Sequence, residues 1–250
     1  MTTRIWLNIV RCGLATVLTL LFLPVPADAQ VVRISGSDTR QLVNVSLGGF
    51  FGHDVDARDD GDVIVANRTA GREALLFDVD DFRKNFQFGG EWLFGVTDHI
   101  EVGAGAAYQQ ETVPSVYEFL EDIDGTEIFQ ELKLRVIPVS ATVRFLPAGR
   151  GAIEPYIGAG IGIFNWRYTE TGEFVDFEDN IFRATFKDSG ATVGPIILFG
   201  VRATVADAVP IGGELRWQKA EGDLDPEIGF LGDKIDLGGW TLNFTVGFRF

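Results

Sequence analysis

Cysteine occurs once in the 250 residues, as Cys12, and histidine only twice, as His53 and His99. A disulfide framework is therefore excluded, and so is any site built on several thiolate or imidazole groups. Positive charge is also scarce: 21 Lys and Arg stand against 36 Asp and Glu, a formal net charge of −15. That balance argues against nucleic acid as a partner, because phosphate binding rests on clustered Lys and Arg. Long apolar runs are missing too. The run from Gly13 to Val25 falls short of the roughly 18 apolar residues of a membrane-spanning helix, so a helical inner-membrane protein is not expected.

Arg4 and Arg11 precede that run, and Ala27-Asp28-Ala29 follows it. This order is that of a secretory signal peptide cleaved after Ala29, so residues 1–29 are expected to be a leader and residues 30–250 the mature domain. Cys12 follows Ile9-Val10-Arg11, which lacks the small residues of a lipoprotein cleavage site. The mature chain is expected to carry neither a thiol nor a lipid anchor. No Pro/Ser-rich linker or shift of composition divides it, and it reads as one domain.

What the sequence has in abundance is alternation. At the C-terminus Trp240, Leu242, Phe244, Val246, Phe248 and Phe250 occupy every second position, the signature of a strand with one apolar face. The pattern recurs from Val43 to Phe51, Phe86 to Phe94, Ile100 to Tyr108, Leu132 to Phe145, Ile157 to Ile163, Val193 to Val201 and Ile211 to Trp217. Eight segments of this kind suit tilted strands crossing a bilayer, which need about nine residues each. One segment changes step, its apolar face even-numbered at Leu132, Leu134 and Val136 and odd-numbered from Val139. A β-bulge at Ile137-Pro138 is the expected cause, and Pro195 is expected to distort its own strand.

The connections alternate in length. Gly95 to His99, Pro147 to Glu154 and Ala206 to Pro210 are short, while Gly52 to Phe82, Glu111 to Phe129, Thr169 to Asp188 and Lys219 to Asp236 are long. The expected fold is therefore all-β: an eight-stranded antiparallel up-and-down transmembrane β-barrel with four long outer loops and short periplasmic turns. Aromatic residues fall where interfacial girdles belong, with Trp92, Phe94, Phe145, Phe248 and Phe250 at one end and Tyr108, Trp217 and Trp240 at the other.

Glu154-Pro-Tyr-Ile-Gly-Ala-Gly-Ile-Gly162, together with the terminal Gly247-Phe-Arg-Phe250, resembles the OmpA/OmpW-like group of small outer-membrane β-barrels over nearly all of the mature chain. The resemblance covers the barrel alone. It implies an outer-membrane location with the long loops extracellular and the termini periplasmic. It also implies that Phe248 and Phe250 form the signal read by the barrel-assembly machinery, although Thr245 stands where that signal usually has glycine. Architecture is specified in this way, and activity hardly at all.

Alternation alone does not say which face points outward, and a secreted soluble barrel of lipocalin type would reverse the faces. Catalysis has little to work with. His53 and His99 are expected at opposite ends of the barrel, and neither the His-x-Ser pattern of lipid A deacylases nor the strand number of the protease barrels is present. A lipid A-modifying or proteolytic surface enzyme using His53, Asp54 and Asp56 is the distant alternative, with no catalytic residue expected.

The four long segments hold 27 Asp and Glu against seven Lys and Arg. Asp122-Ile-Asp124-Gly125 and the run from Asp56 to Asp62 have the oxygen density that calcium takes, but not the EF-hand spacing. No cofactor or resident metal is expected, and divalent bridging to lipopolysaccharide is a further role for these acids.

Inside the barrel, parity places Glu91, Glu101, Arg144, Arg202, Glu214, Arg216 and Arg249 in the periplasmic half, with Glu131, Lys133 and Arg135 farther out. Charges of both signs in a narrow lumen are expected to pair, with inward glycines making room and no open pore left. Leu75, Leu76 and Phe77, and Phe174, Phe177 and Phe182, are expected to fold their loops over the barrel mouth. The functional expectation is a non-catalytic, monomeric protein with a structural or surface-interaction role. The alternative is OmpW-like passage of small hydrophobic compounds through a mouth pocket lined by Phe50, Phe164 and Trp166.

Overall fold

The computed structural model describes residues 40–176, 178–206 and 208–250. The expected leader, residues 1–29, Cys12 within it, and Phe177 lie outside the described residues. Eight antiparallel strands close into a ring: β1 Gln41–Gly52, β2 Lys84–Gly95, β3 Ile100–Glu121, β4 Glu127–Phe145, β5 Ile153–Val175, β6 Ile181–Ala206, β7 Val209–Gln218 and β8 Gly239–Arg249. Each strand pairs with its neighbours in sequence. The ring closes between β1 and β8, in register from Leu42 opposite Arg249 to Gly52 opposite Gly239. Closure satisfies the backbone polar groups internally, which is the condition for crossing lipid.

The alternating apolar residues point outward: Val45, Phe86, Ile161 and Phe244 are exposed, whereas Asn44, Gln87 and Asn243 are buried inside. An apolar exterior around a polar interior is the reverse of a soluble barrel, and the lipocalin alternative is overturned. Trp92, Phe94, Phe145, Phe248 and Phe250 are also exposed, all at the end of the barrel that carries the short turns. Amphipathic rings at that level suit a membrane interface.

The short connections fall where the sequence places them, and two of the long ones do not. β3 continues to Glu121 before β4 begins at Glu127, and β5 continues to Val175 before β6 begins at Ile181. Segments expected as loops, 111–129 and 169–188, are therefore paired strands that run beyond the lipid-facing belt. The β3–β4 hairpin turns at Gly125, whose φ of 80° lies in the left-handed region, where glycine carries no Cβ penalty. The other two connections are folded. The first contains α1 Val63–Thr69, a two-residue strand Leu75–Leu76 that pairs with β3, and α2 Val79–Arg83. The fourth contains paired short strands, Glu221–Asp223 and Lys234–Asp236.

Ile137-Pro138 is not a bulge. β4 holds one register with β3, from Phe145 opposite Ile100 to Phe129 opposite Val116, and one with β5, from Phe145 opposite Ile157 to Gln130 opposite Gly172. Leu132 and Val136 consequently point inward and are buried, at 0% and 1% exposure. What changes along β4 is the surroundings. Next to the bilayer the exterior is lipid and apolar residues face out; beyond it the exterior is water, and they face in. Pro195 needs no distortion either. The β5–β6 register runs through it opposite Ile161, and pairing with β7 starts one residue later, at Ile196 opposite Gln218. Its missing N–H falls where the partner strand has ended.

Candidate functional site

The lumen is filled in two layers. At the turn end, inward parity on seven strands brings charged side chains to one level. Arg144 reaches Glu91 at 2.6 Å and Glu214 at 2.7 Å, and Arg216 lies 3.0 Å from Glu214. Closer to the turns, Arg202 is 2.5 Å from both Glu101 and Glu154, Arg249 is 2.5 Å from Glu154, and Arg150 is 3.4 Å from Glu101. Arginine suits this place because its planar fork serves two carboxylates at once. Tyr156 joins the two groups: its hydroxyl lies 3.1 Å from Glu214, and its ring lies 4.8 Å from the Arg144 guanidinium and 5.5 Å from that of Arg202. Gly200 makes room for that ring, since a Cβ there would lie 2.3 Å from Tyr156 Cζ.

Thus the structure brings Glu91, Glu101, Arg144, Arg202, Glu214, Arg216 and Arg249 into one network. It adds Glu154, Arg150 and Tyr156. For Glu154 and Tyr156 the signal was available, because both share the inward parity of β5; Arg150 belongs to a turn, where no parity applies. Glu131, Lys133 and Arg135 are corrected. Glu131 and Lys133 are exposed and Arg135 is partly exposed on the outer side of β4, because the strand keeps its step through Pro138.

The second layer, at the loop end, is apolar. Val113 of β3, Leu132 and Val136 of β4, Phe164, Trp166 and Tyr168 of β5 and Ile196 of β6 pack with α1 through Val63 and Ile64. Phe77, Val79 and Phe82 of the first connection, and Leu224, Ile235 and Leu237 of the fourth, join the same cluster. Full burial of each such side chain contributes about 1.5–3 kcal/mol, so the two connections are held in the barrel mouth as a plug. Phe164 and Trp166 therefore lie inside a packed layer, 0% and 4% exposed, and Phe50 is buried at 5%. The space that the sequence reading assigned to a mouth pocket is occupied by α1 and the fourth connection.

A polar latch ties these connections together. Asp62 accepts from Arg58 Nη1 at 3.1 Å, from the Ile64 amide at 2.9 Å, where it caps α1, and from the Asp236 amide at 2.6 Å. His53 Nδ1 lies 2.6 Å from Asp236 Oδ2. The partner of His53 is thus Asp236, 183 positions away, and not Asp54 or Asp56. Asp54 instead caps Val55 and meets Arg83. His99 lies at the other end of the barrel, stacked on Phe145. Beside the latch, where β7 has stopped pairing with β6, is a groove of about 880 Å³ lined by Thr192, Val193, Pro195, Trp217, Lys219 and His53, among others.

Among the described residues no group of three or more His, Cys, Asp or Glu is arranged to hold a metal. The acidic runs act instead as local caps: Asp122 accepts from the Ile123 amide, Asp124 from Thr126, and Asp59 from the Gly61 amide.

No protein-family model matches the sequence, and no curated protein matches it. Among solved structures, the outer membrane protein OprG from Pseudomonas aeruginosa is similar over 85% of this chain and 96% of its own, with 11% identity and a TM-score of 0.50. Neisserial surface protein A is similar over 84% of this chain and 96% of its own, with 11% identity and a TM-score of 0.44. The fold of this chain is that of the small eight-stranded outer-membrane β-barrels.

Proposed function

We propose that the chain is a non-catalytic outer-membrane protein whose barrel is a closed scaffold and whose projecting hairpins and folded connections carry any recognition. One observation carries this reading: the ion-pair network and the apolar plug occupy the lumen in series, so neither end opens into a through-channel. The interior of an eight-stranded barrel is narrow enough for side chains to fill it. In this reading the loop end is extracellular and both termini are periplasmic. Phe248 and Phe250 serve the barrel-assembly machinery, the protein acts as a monomer, and the acidic connections meet lipopolysaccharide through divalent cations. The His53–Asp236 pair then fastens two connections and is not a catalytic dyad. Reconstitution into a planar bilayer tests the closed lumen, the expected result being no stable porin-sized conductance. Stable open-channel steps from the wild-type barrel would refute it.

A second reading, passage of small hydrophobic compounds, is favoured by the groove beside Pro195, where a lateral exit through the wall would have to lie. Its charged lining, with Arg58, Asp62, Lys219 and Asp236, suits such compounds poorly. Faster entry of indole into proteoliposomes than into protein-free liposomes would decide for it.

A further inference from the structure

We propose that the loop end carries a binding pocket for a small organic ammonium ion, a primary amine on a short aromatic or apolar body. A cavity of about 230 Å³ lies there, above the plug, lined by Asn67, Tyr117, Glu170, Phe174, Phe182 and Phe186 among others. It is bounded by the β5–β6 hairpin, by β3 and by the first and fourth connections. Phe174 and Phe186 meet edge to face, with ring centroids 4.8 Å apart and planes at 83°, so two aromatic walls stand at right angles and brace each other.

Two buried polar side chains belong to its lining. Asn67 is 0% exposed and Glu170 5% exposed. Asn67 Nδ2 donates to Glu170 Oε1 at 2.7 Å, and the Tyr168 hydroxyl donates to the same oxygen at 2.9 Å. Asn67 Oδ1 is buried without a hydrogen-bond partner. Among the described residues no Lys or Arg pairs with Glu170, although β-barrel carboxylates deeper in the lumen all meet arginine. An unpartnered buried acceptor and a buried carboxyl without a counter-ion both cost free energy.

An ammonium group answers the carboxyl. It donates N–H to the Glu170 carboxylate oxygen that Asn67 and Tyr168 leave free, supplies the missing positive charge, and turns that charge toward aromatic faces, which attract cations. A carboxylate ligand would add a second negative charge and bring no donor, and a hydrocarbon would leave the acceptors unmet. The cavity holds roughly the volume of seven or eight waters, which suits a body of phenylethyl size. The acidic excess of the surrounding segments attracts cations toward the opening.

This pocket lies outside the lumen plug, so it stands or falls separately from the closed-scaffold reading. The test is calorimetric titration of the folded full chain in detergent with phenethylammonium chloride, 2-phenylethanol and 3-phenylpropionate. Saturable binding of the ammonium is expected, with the isosteric alcohol at least roughly tenfold weaker and no binding of the carboxylate. Glu170→Gln and Phe186→Ala, each checked for the folded barrel by heat-modifiable gel migration, are expected to weaken the ammonium by a similar factor. Absence of saturable ammonium binding, or alcohol binding as tight as ammonium, overturns the proposal. So does wild-type affinity in both folded variants. Should neither variant fold, the wild-type discrimination between ammonium and alcohol decides alone.

Discussion

The guanidinium of Arg144 lies 2.7 Å from the carboxylate of Glu214, with the two side chains 1% and 3% exposed. Removing one partner of a buried pair leaves the other charge without compensation, at a cost of about 3–5 kcal/mol. Arg144→Ala and Glu214→Ala are each expected to destabilise the folded barrel on that scale. The double variant should lose less than the sum of the two, because the groups belong to one network. Equilibrium urea unfolding in lipid vesicles, followed by tryptophan fluorescence, measures all three; strict additivity would show that the pair is not coupled.

Gly200 faces the Tyr156 ring so closely that a Cβ would lie 2.3 Å from it and 2.8 Å from the Gly213 carbonyl oxygen. Tyr156 cannot retreat without leaving Glu214 and the two arginines that flank its ring. Gly200→Ala is therefore expected to destabilise the barrel by about 1–3 kcal/mol through overpacking. Gly200→Ala combined with Tyr156→Phe should remain destabilised, since the ring is still there, whereas in a Tyr156→Ala background Gly200→Ala should cost less, because only the contact with the Gly213 carbonyl oxygen is left. The same unfolding assay separates these outcomes.

Asp62 ties the first connection to the fourth through the Asp236 amide at 2.6 Å. Asp62→Ala removes this bond, the α1 cap and the partner of Arg58 together. The expected result is rapid proteolysis of the segments around α1 and around Glu221–Asp223, while the membrane-embedded barrel still migrates as a folded, heat-modifiable species. Loss of the cap alone costs about 1 kcal/mol, far less than the barrel's closure provides. Unchanged protease resistance would show that the apolar plug holds these connections without the latch.

Burial raises the Glu170 carboxyl above the ordinary carboxylate range, and the hydrogen bonds from Asn67 and Tyr168 only partly oppose it. Glu170 lies beyond Ile163, where the continuous run of outward apolar residues on β5 ends and polar ones from Asn165 to Glu173 take over, and so outside the membrane-spanning part of the strand. Its neighbours, Asn67 of α1, Tyr168 of β5 and Tyr117 of β3, bring no positive charge. The folded state therefore keeps this proton to higher pH than the unfolded chain does. Between the unfolded value of about 4.3 and the raised folded value, stability falls as pH rises. Glu170→Gln is expected to flatten that decline and to be more stable than the wild type at neutral pH in the absence of ligand. Thermal midpoints of both proteins from pH 4 to 8 provide the check, and parallel curves would contradict it.

How much of this was legible beforehand depended on what surrounds each residue. Strand positions such as Val45, Phe88, Ile161 and Leu242 could be read directly, because within a bilayer the outer solvent is uniform and a period of two leaves one choice of face. The same parity placed Arg144, Glu214 and Arg202 inside without any knowledge of their partners. Glu154 followed the same rule, but its role in the entry motif of β5 obscured its place in the lumen.

Beyond the belt the rule inverts. Leu132, Val136, Phe164 and Trp166 continue the strands they belong to, yet water replaces lipid outside and α1 replaces ion pairs inside. A sequence pattern records apolar and polar positions but not where the membrane ends, so the inversion on β4 imitated a bulge and the extended hairpins imitated loops. The strand parity and the charged lumen were determined by the sequence itself, through local backbone geometry and the solvent each face must meet. Only the tertiary structure decided that Asn67 would meet Glu170 across 103 positions, and His53 would meet Asp236 across 183. Those contacts arise from how two long connections fold back into one barrel mouth, a matter of packing between distant segments that no local pattern encodes.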